Sequence, residues 1–332
     1  MSTSAITGSA LTLLDWAKRL DPNGKVPTIV ELLNQTNEIL DDMLWKEGNL
    51  ETGDRVTVRT GLPSVYWRMI NQYVAPSKSR TAQIDFGTGM LESWSQVDED
   101  LAKLGGNLNE TRLSEAKAFL EAMNQEMAGT VFYGNSGTAP EEFTGFAPMF
   151  SSSAAGNGQN IILAGGNSTD NYSIWLVGWG ENSVYGIFPK GSKAGLVHNN
   201  IGLVTDTDSS GGKMRVYQDQ WKWHAGLTVK DWRYVVRIAN IDVSDLIGVN
   251  SAADLVELMI KATYRLPSLK NCKPAFYMNR TCAEMLDILR RNDVVAGGGL
   301  TFENVDGKRQ MSFRQIPIRI VDQLVTETTA IS

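Results

Sequence analysis

Residues Trp175 to Leu246 crowd aromatic and β-branched side chains into one long block, WLVGWGENSVYGIFPKGSKAGL, a Gly- and Asp-rich break, then WKWHAGLTVKDWRYVVRIANIDVSDL. Such residues fit pleated, half-buried surfaces, so the block reads as strands. The spacing predicts strands at Ser173–Val177, Val184–Phe188, Met214–Tyr217, Gln220–His224 and Trp232–Ile241. In the fourth, Trp221 and Trp223 share one face while Lys222 and His224 take the other, the pattern of long antiparallel hairpins. Few groups in the block can do chemistry. It predicts large surfaces made to be buried, not a reaction centre.

Helical signals flank this block, which makes the chain α+β. Near the start, Leu11, Leu14 and Ala17 recur at helical spacing, DPNGK turns, and Val30, Leu33, Asn37, Leu40 and Leu44 form a second stripe. An arm this short cannot bury its own stripe, so it is expected to lie against other parts of an assembly. Residues 107–128 predict the clearest helix. Asn107 with Glu110 resembles a capping box, Leu113, Ala116, Leu120, Met123 and Met127 make the stripe, and Gly129 is the expected stop. Residues 134–170 are loop-rich around Ile161–Leu163. Beyond them, Ser251 with Asp254 opens a helix carrying Leu255, Leu258, Met259, Ala262 and Leu266, closed by Pro267. A strand at Pro274–Met278, a helix at Arg280–Arg291 and strands Phe302–Val305 and Met311–Val321 around Asp306-Gly307 complete a compact lobe.

Charge is unevenly placed. Between Arg55 and Ile84 stand Arg55, Arg59, Arg68, Lys78 and Arg80 with no acidic residue. Asp98, Glu99, Asp100, Glu110, Glu115, Glu121 and Glu126 follow. The basic run is either a solvated hairpin face, with Arg55–Arg59 as its alternating strand, or a projection onto an acidic surface of a neighbouring subunit. Overall the 332 residues carry a net charge of -6, which gives no electrostatic reason to grip nucleic acid. An acidic container that does not adhere to enclosed DNA remains compatible with that charge.

The search for chemistry yields no catalytic, cofactor or metal residues. Cys272 and Cys282 stand ten apart, outside zinc-site spacing, and are expected to be free thiols. His198, in a polar loop, and His224, in a strand, lack a visible orienting partner. Asp206-Thr-Asp208 opens like a calcium loop, but Tyr217 stands where the bidentate Glu belongs. Gly297–Gly299 lacks the Lys-Ser/Thr of a phosphate cradle, and consecutive Asp98, Glu99 and Asp100 point apart. With no signal-peptide pattern and no apolar run of about 20 residues, a soluble, intracellularly made protein without a membrane partner is expected.

Four strings carry a resemblance: TLLDWAKRLDPNGK at Thr12–Lys25, TGLPSVYWR at Thr60–Arg68, GIFPKGSKAGL at Gly186–Leu196, and GLTVKDWRYVVRIANID at Gly226–Asp242. In this order they resemble the major capsid proteins of epsilon15-like short-tailed bacteriophages. The resemblance implies the Hong Kong 97-type capsid fold. It maps residues 1–45 to an N-terminal arm, 46–105 to an extended β-loop, 106–250 to a peripheral domain with its spine helix, and 251–332 to an axial domain with C-terminal strands. Residues 134–171 are left undivided between the two domains. Implied as well are hexamers and pentamers of an icosahedral head, assembled in the host bacterial cytoplasm with a scaffolding protein, a portal and in some cases a decoration protein. The head then encloses double-stranded DNA without sequence-specific binding. An encapsulin-like compartment of the same fold, a tail or decoration protein, and a β-rich hydrolase using paired carboxylates are the alternatives.

Overall fold

Strands buried on both faces sit at the centre of the larger of two compact units. The structure, a computed structural model, describes residues 35, 37–104, 108–207, 211–248, 254–292, 300–305 and 308–331. Neither unit is contiguous. One comprises residues 1–35, 90–127 and 195–224, and the other 36–89, 128–194 and 225–332. The helical stripes at 11–17 and 30–34, Asn107, Ser251, the Gly297–Gly299 turn and Asp306-Gly307 lie outside the described residues.

In the larger unit, short strand β1 (Trp45–Glu47) follows a single helical turn, α1 (Ile39–Asp42), where the second stripe predicted a helix through Leu44. Strand β2 (Gly53–Gly61) pairs antiparallel with β3 (Arg80–Asp98), setting Arg55 opposite Asp85 and Arg59 opposite Thr81. Period-2 alternation puts Arg55, Thr57 and Arg59 on one exposed face and buries Val56 on the other. Two further helices follow in chain order, α2 (Glu99–Leu104) and α3 (Leu108–Tyr133). Short helix α4 (Phe146–Met149) and strand β4 (Ile161–Leu163) order part of the loop-rich tract. Strand β5 (Asn171–Trp179) pairs antiparallel with both β9 (Val235–Asp242) and β10 (Lys273–Met278), and β4 runs parallel to β9.

Alternation along β5 gives this sheet two different cores. Ile174 and Leu176 join Val236, Ile238, Phe276 and Met278 in a mainly aliphatic layer. Two helices contribute to that layer, α6 (Leu255–Arg265) through Leu255, Leu258, Met259 and Ala262, and α7 (Arg280–Asn292) through Cys282, Ala283 and Leu286. Trp175 and Trp179, the odd-numbered residues, meet Phe132, Phe146, Phe150 and Tyr277 in an aromatic cluster with ring centroids 5.7–6.4 Å apart. The predicted stripe of α6 is buried as expected, and Asp254 caps it by accepting from the Glu257 amide at 3.0 Å. Asp254→Ala should therefore cost about 1 kcal/mol in chemical denaturation, the usual worth of such a cap.

Strand β6 (Val184–Phe188) does not form a hairpin with β5, contrary to the sequential pattern expected. It runs parallel to β1 and pairs antiparallel with residues 226–229 of β8 (Lys213–Val229). A 3₁₀ turn at Trp232–Tyr234 shortens the next predicted strand. After helix α5 (Val243–Gly248), the chain ends in β11 (Leu300–Val305), β12 (Lys308–Phe313) and β13 (Ile316–Ile320). The strand expected over Met311–Val321 is broken by Arg314 and Gln315, both at positive φ, which fold β13 back onto β12.

The smaller unit holds the β7–β8 hairpin, with β7 (Leu196–Thr207) antiparallel to residues 213–223 of β8. His198 therefore lies in a strand, not the polar loop expected. The sequence there is too polar to signal a strand, and cross-strand backbone pairing supplies what propensity does not. Helix α3 runs through Gly129 to Tyr133, at about 1.5 Å per residue some 39 Å in all. Burying Val131 and Phe132 completely outweighs the ~1 kcal/mol helix penalty of one Gly, since each buried apolar side chain is worth about 1.5–3 kcal/mol. The helix ends where a Cβ on Gly134 would stand 2.5 Å from the Phe143 carbonyl oxygen. Of the predicted stripe, Met123 and Met127 are buried, whereas Leu113 and Leu120 are exposed. Phe119 packs inward instead, stacked on Trp221 at 5.9 Å.

Candidate assembly surfaces

The β2–β3 hairpin ends in an irregular tip, residues 62–79, that carries the most exposed apolar side chains described. Leu62, Val65, Tyr66, Met69, Ile70 and Val74 are all exposed, and Trp67 and Tyr73 reach 103% and 99% of full exposure. A turn with Asn71 at φ 66° folds the tip, the Gln72 amide donating to the Met69 carbonyl at 3.2 Å. The Ser77 hydroxyl ties it across to the Ser64 carbonyl at 2.8 Å. Exposed apolar clusters of this kind mark interaction sites. In the sequence their signal is the apolar run SVYWRMINQYV between Pro63 and Pro76.

The basic residues divide. Arg55 forks onto Asp85 directly across the hairpin, with nitrogen–oxygen distances of 2.6 and 2.7 Å. That hydrogen bond holds the Asp85 carboxyl below its ordinary range. Arg55 is thus paired within its own ribbon, and both partners of the pair remain exposed. Arg59, Arg68, Lys78 and Arg80 are exposed on the ribbon and its tip. On the acidic side, Glu121 accepts from the Gln35 amide at 2.9 Å and from the Gln125 side chain at 2.8 Å. Glu115 is half-buried and Glu126 exposed, while the Glu110 side chain lies outside the described residues.

Polar groups elsewhere form braces. Buried Asp219 accepts from the Arg112 guanidinium at 2.7 Å and faces the His198 Nε2 at 2.9 Å, and the His198 ring stacks on Trp221 at 5.1 Å. In the larger unit, Arg237 bonds Glu327 at 2.7 Å and the Phe150 carbonyl at 2.8 Å, its guanidinium 4.8 Å from the Trp175 ring centroid. Burial pulls the Arg237 guanidinium below its ordinary pKa, against the opposing pull of Glu327. Cys272 and Cys282 are both free, and burial pushes the Cys282 thiol up to about 12, so it holds almost no nucleophilic thiolate at neutral pH. Among the described residues no group of His, Cys, Asp or Glu is placed to hold a metal ion, and no helix is long and apolar enough to cross a membrane.

Surfaces built for burial, on a chain whose polar clusters brace its own strands, agree with the comparison to known families. The model of the family described as major capsid protein GP7 matches residues 21–332. The chain belongs to that family. A chain in the structure of bacteriophage Epsilon15 is 32% identical, with a TM-score of 0.74 and 99% of each chain covered. The bacteriophage JBD30 capsid aligns over 97% of each chain at 10% identity and a TM-score of 0.47. An encapsulin complex from Synechococcus elongatus aligns over 70% of this chain and 97% of its own, at 10% identity and a TM-score of 0.45. No curated protein matches. The fold is of the Hong Kong 97 type. As a GP7-family major capsid protein, the chain is a structural, non-enzymatic component of the phage virion, and its shell is built from copies of itself. The encapsulin and hydrolase alternatives are not favoured.

Proposed function

We propose that copies of this chain form hexameric and pentameric rings of an icosahedral head, joined by the hairpin of one subunit lying on the next. The observation that carries this is the apolar tip. Burying it in water-free contact with a second copy removes from solvent side chains that a lone subunit leaves exposed. In this arrangement residues 1–45 act as the arm and 46–105 as the extended loop. Residues 106–250 are the peripheral domain with α3 as spine, 251–332 the axial domain, and 134–171 stay undivided between them. Arg59, Arg68 and Arg80, with Lys78 beside them, meet carboxylates of the neighbour's Glu110–Glu126 face and set the register of the apolar contact. A scaffolding protein and a portal are the further partners, joined in some heads by a decoration protein, with assembly in the host bacterial cytoplasm. The net charge of -6 supports a shell that encloses double-stranded DNA without gripping it.

Expressed with its neighbouring genes, the protein should give closed polyhedral shells, or rings of five and six, in negative-stain electron microscopy. A uniform monomer or dimer under every condition would refute the arrangement. Arg59→Glu with Arg80→Glu should lower shell yield and shell melting temperature, and more so in low salt. Unchanged yield and melting would remove the charge pairing while leaving the apolar contact standing.

A further inference from the structure

The turn joining β12 to β13 is built from the wrong residues for its shape. Two-residue hairpin turns with both φ angles positive strongly favour Asn-Gly, because a Cβ is strained there. Here Arg314 and Gln315 stand at φ 51° and 66°. Non-glycine residues held in this region cost free energy and recur at functional positions. What the strain achieves is presentation. The exposed Arg314 guanidinium lies 5.6 Å from the ring centroid of Tyr264, itself 78% exposed, and 5.9 Å from that of Phe313. Among the described residues, the groups it lies against are rings. Together Tyr264 and Arg314 make an aromatic, cationic knob.

A surface of opposite character stands on α7. Glu284, Asp287 and Ile288 share one helix face at i, i+3 and i+4, and all three are exposed, while Cys282, Ala283 and Leu286 are buried. Arg280, one turn before Glu284, is drawn away to Asp322 at 2.8 Å. Among the described side chains, this face offers one apolar group flanked by two carboxylates, the complement of a Tyr beside an Arg.

A ring of identical subunits closes through head-to-tail contacts, in which one surface of each copy meets a different surface of the next. Both halves of such a contact must therefore be present on a single chain. We propose that the Tyr264–Arg314 knob of one subunit docks on the Glu284–Asp287–Ile288 face of its neighbour around the ring. The contact rests on the ring arrangement proposed above. The occupant is a second copy because the shell is built from copies, and because charge and apolarity match pairwise, guanidinium to carboxylates and Tyr264 to Ile288. Buried Tyr and Arg are the residues most often dominant at such contacts.

Arg314→Asn with Gln315→Gly tests the knob without harming the fold. The dispersed subunit should melt no lower than wild type, since the turn is relaxed, while the concentration needed for shells rises about tenfold or more. Arg314→Glu alone and Glu284→Lys with Asp287→Lys should each impair assembly, and the combination should recover most of it. Assembly of the Asn-Gly variant at the wild-type concentration would overturn the knob, and a combination no better than its weaker parent would overturn the pairing. Wild-type shells imaged in the same series separate the two levels. Normal five- and six-membered rings with unaffected variants sink this contact alone, whereas shells without such rings sink the ring arrangement and the contact with it.

Discussion

Replacing Trp67 and Tyr73 together by Ala should leave the subunit folded and stop shells from forming. Both side chains stand almost wholly in solvent on the isolated chain, so neither contributes to its core. Surface substitutions of this kind usually change stability by less than about 0.5 kcal/mol. An interface anchor is different. Buried Trp and Tyr hot spots cost about 2 kcal/mol or more when truncated, close to 30-fold in affinity each. Every subunit of a shell repeats the loss, and linked weak contacts fail together. Thermal unfolding of dispersed subunits checks the first half of the expectation, and sedimentation of assembled material the second. Trp67→Phe, which keeps an apolar ring, should retain part of the assembly. Shells at the wild-type concentration from the double Ala variant would mean that the tip is not an anchor.

Glu327→Ala should be the most damaging single change to the subunit itself. Arg237 is nearly inaccessible, and its charge is answered by Glu327, the Phe150 carbonyl and the face of Trp175. Removing the carboxylate leaves a cation without its counter-charge in a low-dielectric site, a loss of about 3–5 kcal/mol. Against a typical stability of about 5–15 kcal/mol, that is a large fraction. The midpoint of urea unfolding should drop accordingly. The pair also clasps the C-terminal segment, because the Glu327 amide donates to the Asn171 carbonyl at 2.7 Å and its carboxylate accepts from Ser173 at 2.8 Å. Arg237→Met with Glu327→Leu removes both charges at similar volume and should recover most of the loss. If Glu327→Ala unfolds at the wild-type midpoint, Arg237 is satisfied by its neutral partners alone.

Local regularities were readable because they follow from backbone geometry within a few residues. Alternation at Arg55–Arg59 places side chains on opposite faces of a strand, so a strand with one exposed and one buried face could be expected there, and the apolar run Ser173–Val177 reads as a strand for its residue types. The helix at Leu255–Arg265 was readable for a similar reason, with a cap, a stripe and a following Pro within thirteen residues of one another. The polar strand Leu196–Thr207 was not, since its signal lies in the partner it pairs with. For the candidate surfaces the basic run was visible, yet that Arg55 is occupied by Asp85 depends on hairpin register. The apolar tip is legible in the run between Pro63 and Pro76, but its full exposure depends on the hairpin that carries it.

The sequence by itself determined the apolar strands of the aromatic block, the helical lobe, the family strings and the absence of any catalytic motif, because each is written in neighbouring residues or short spacings. Tertiary structure decided the rest. It alone stacked Phe119 on Trp221 where Leu113 and Leu120 were expected to pack, carried α3 past Gly129 to the close approach at Gly134, and joined Arg237 to a glutamate 90 residues away. Those outcomes turn on which segments meet in space, and chain closure over long separations is set by the packing of the whole unit, not by the residues on either side of any one position.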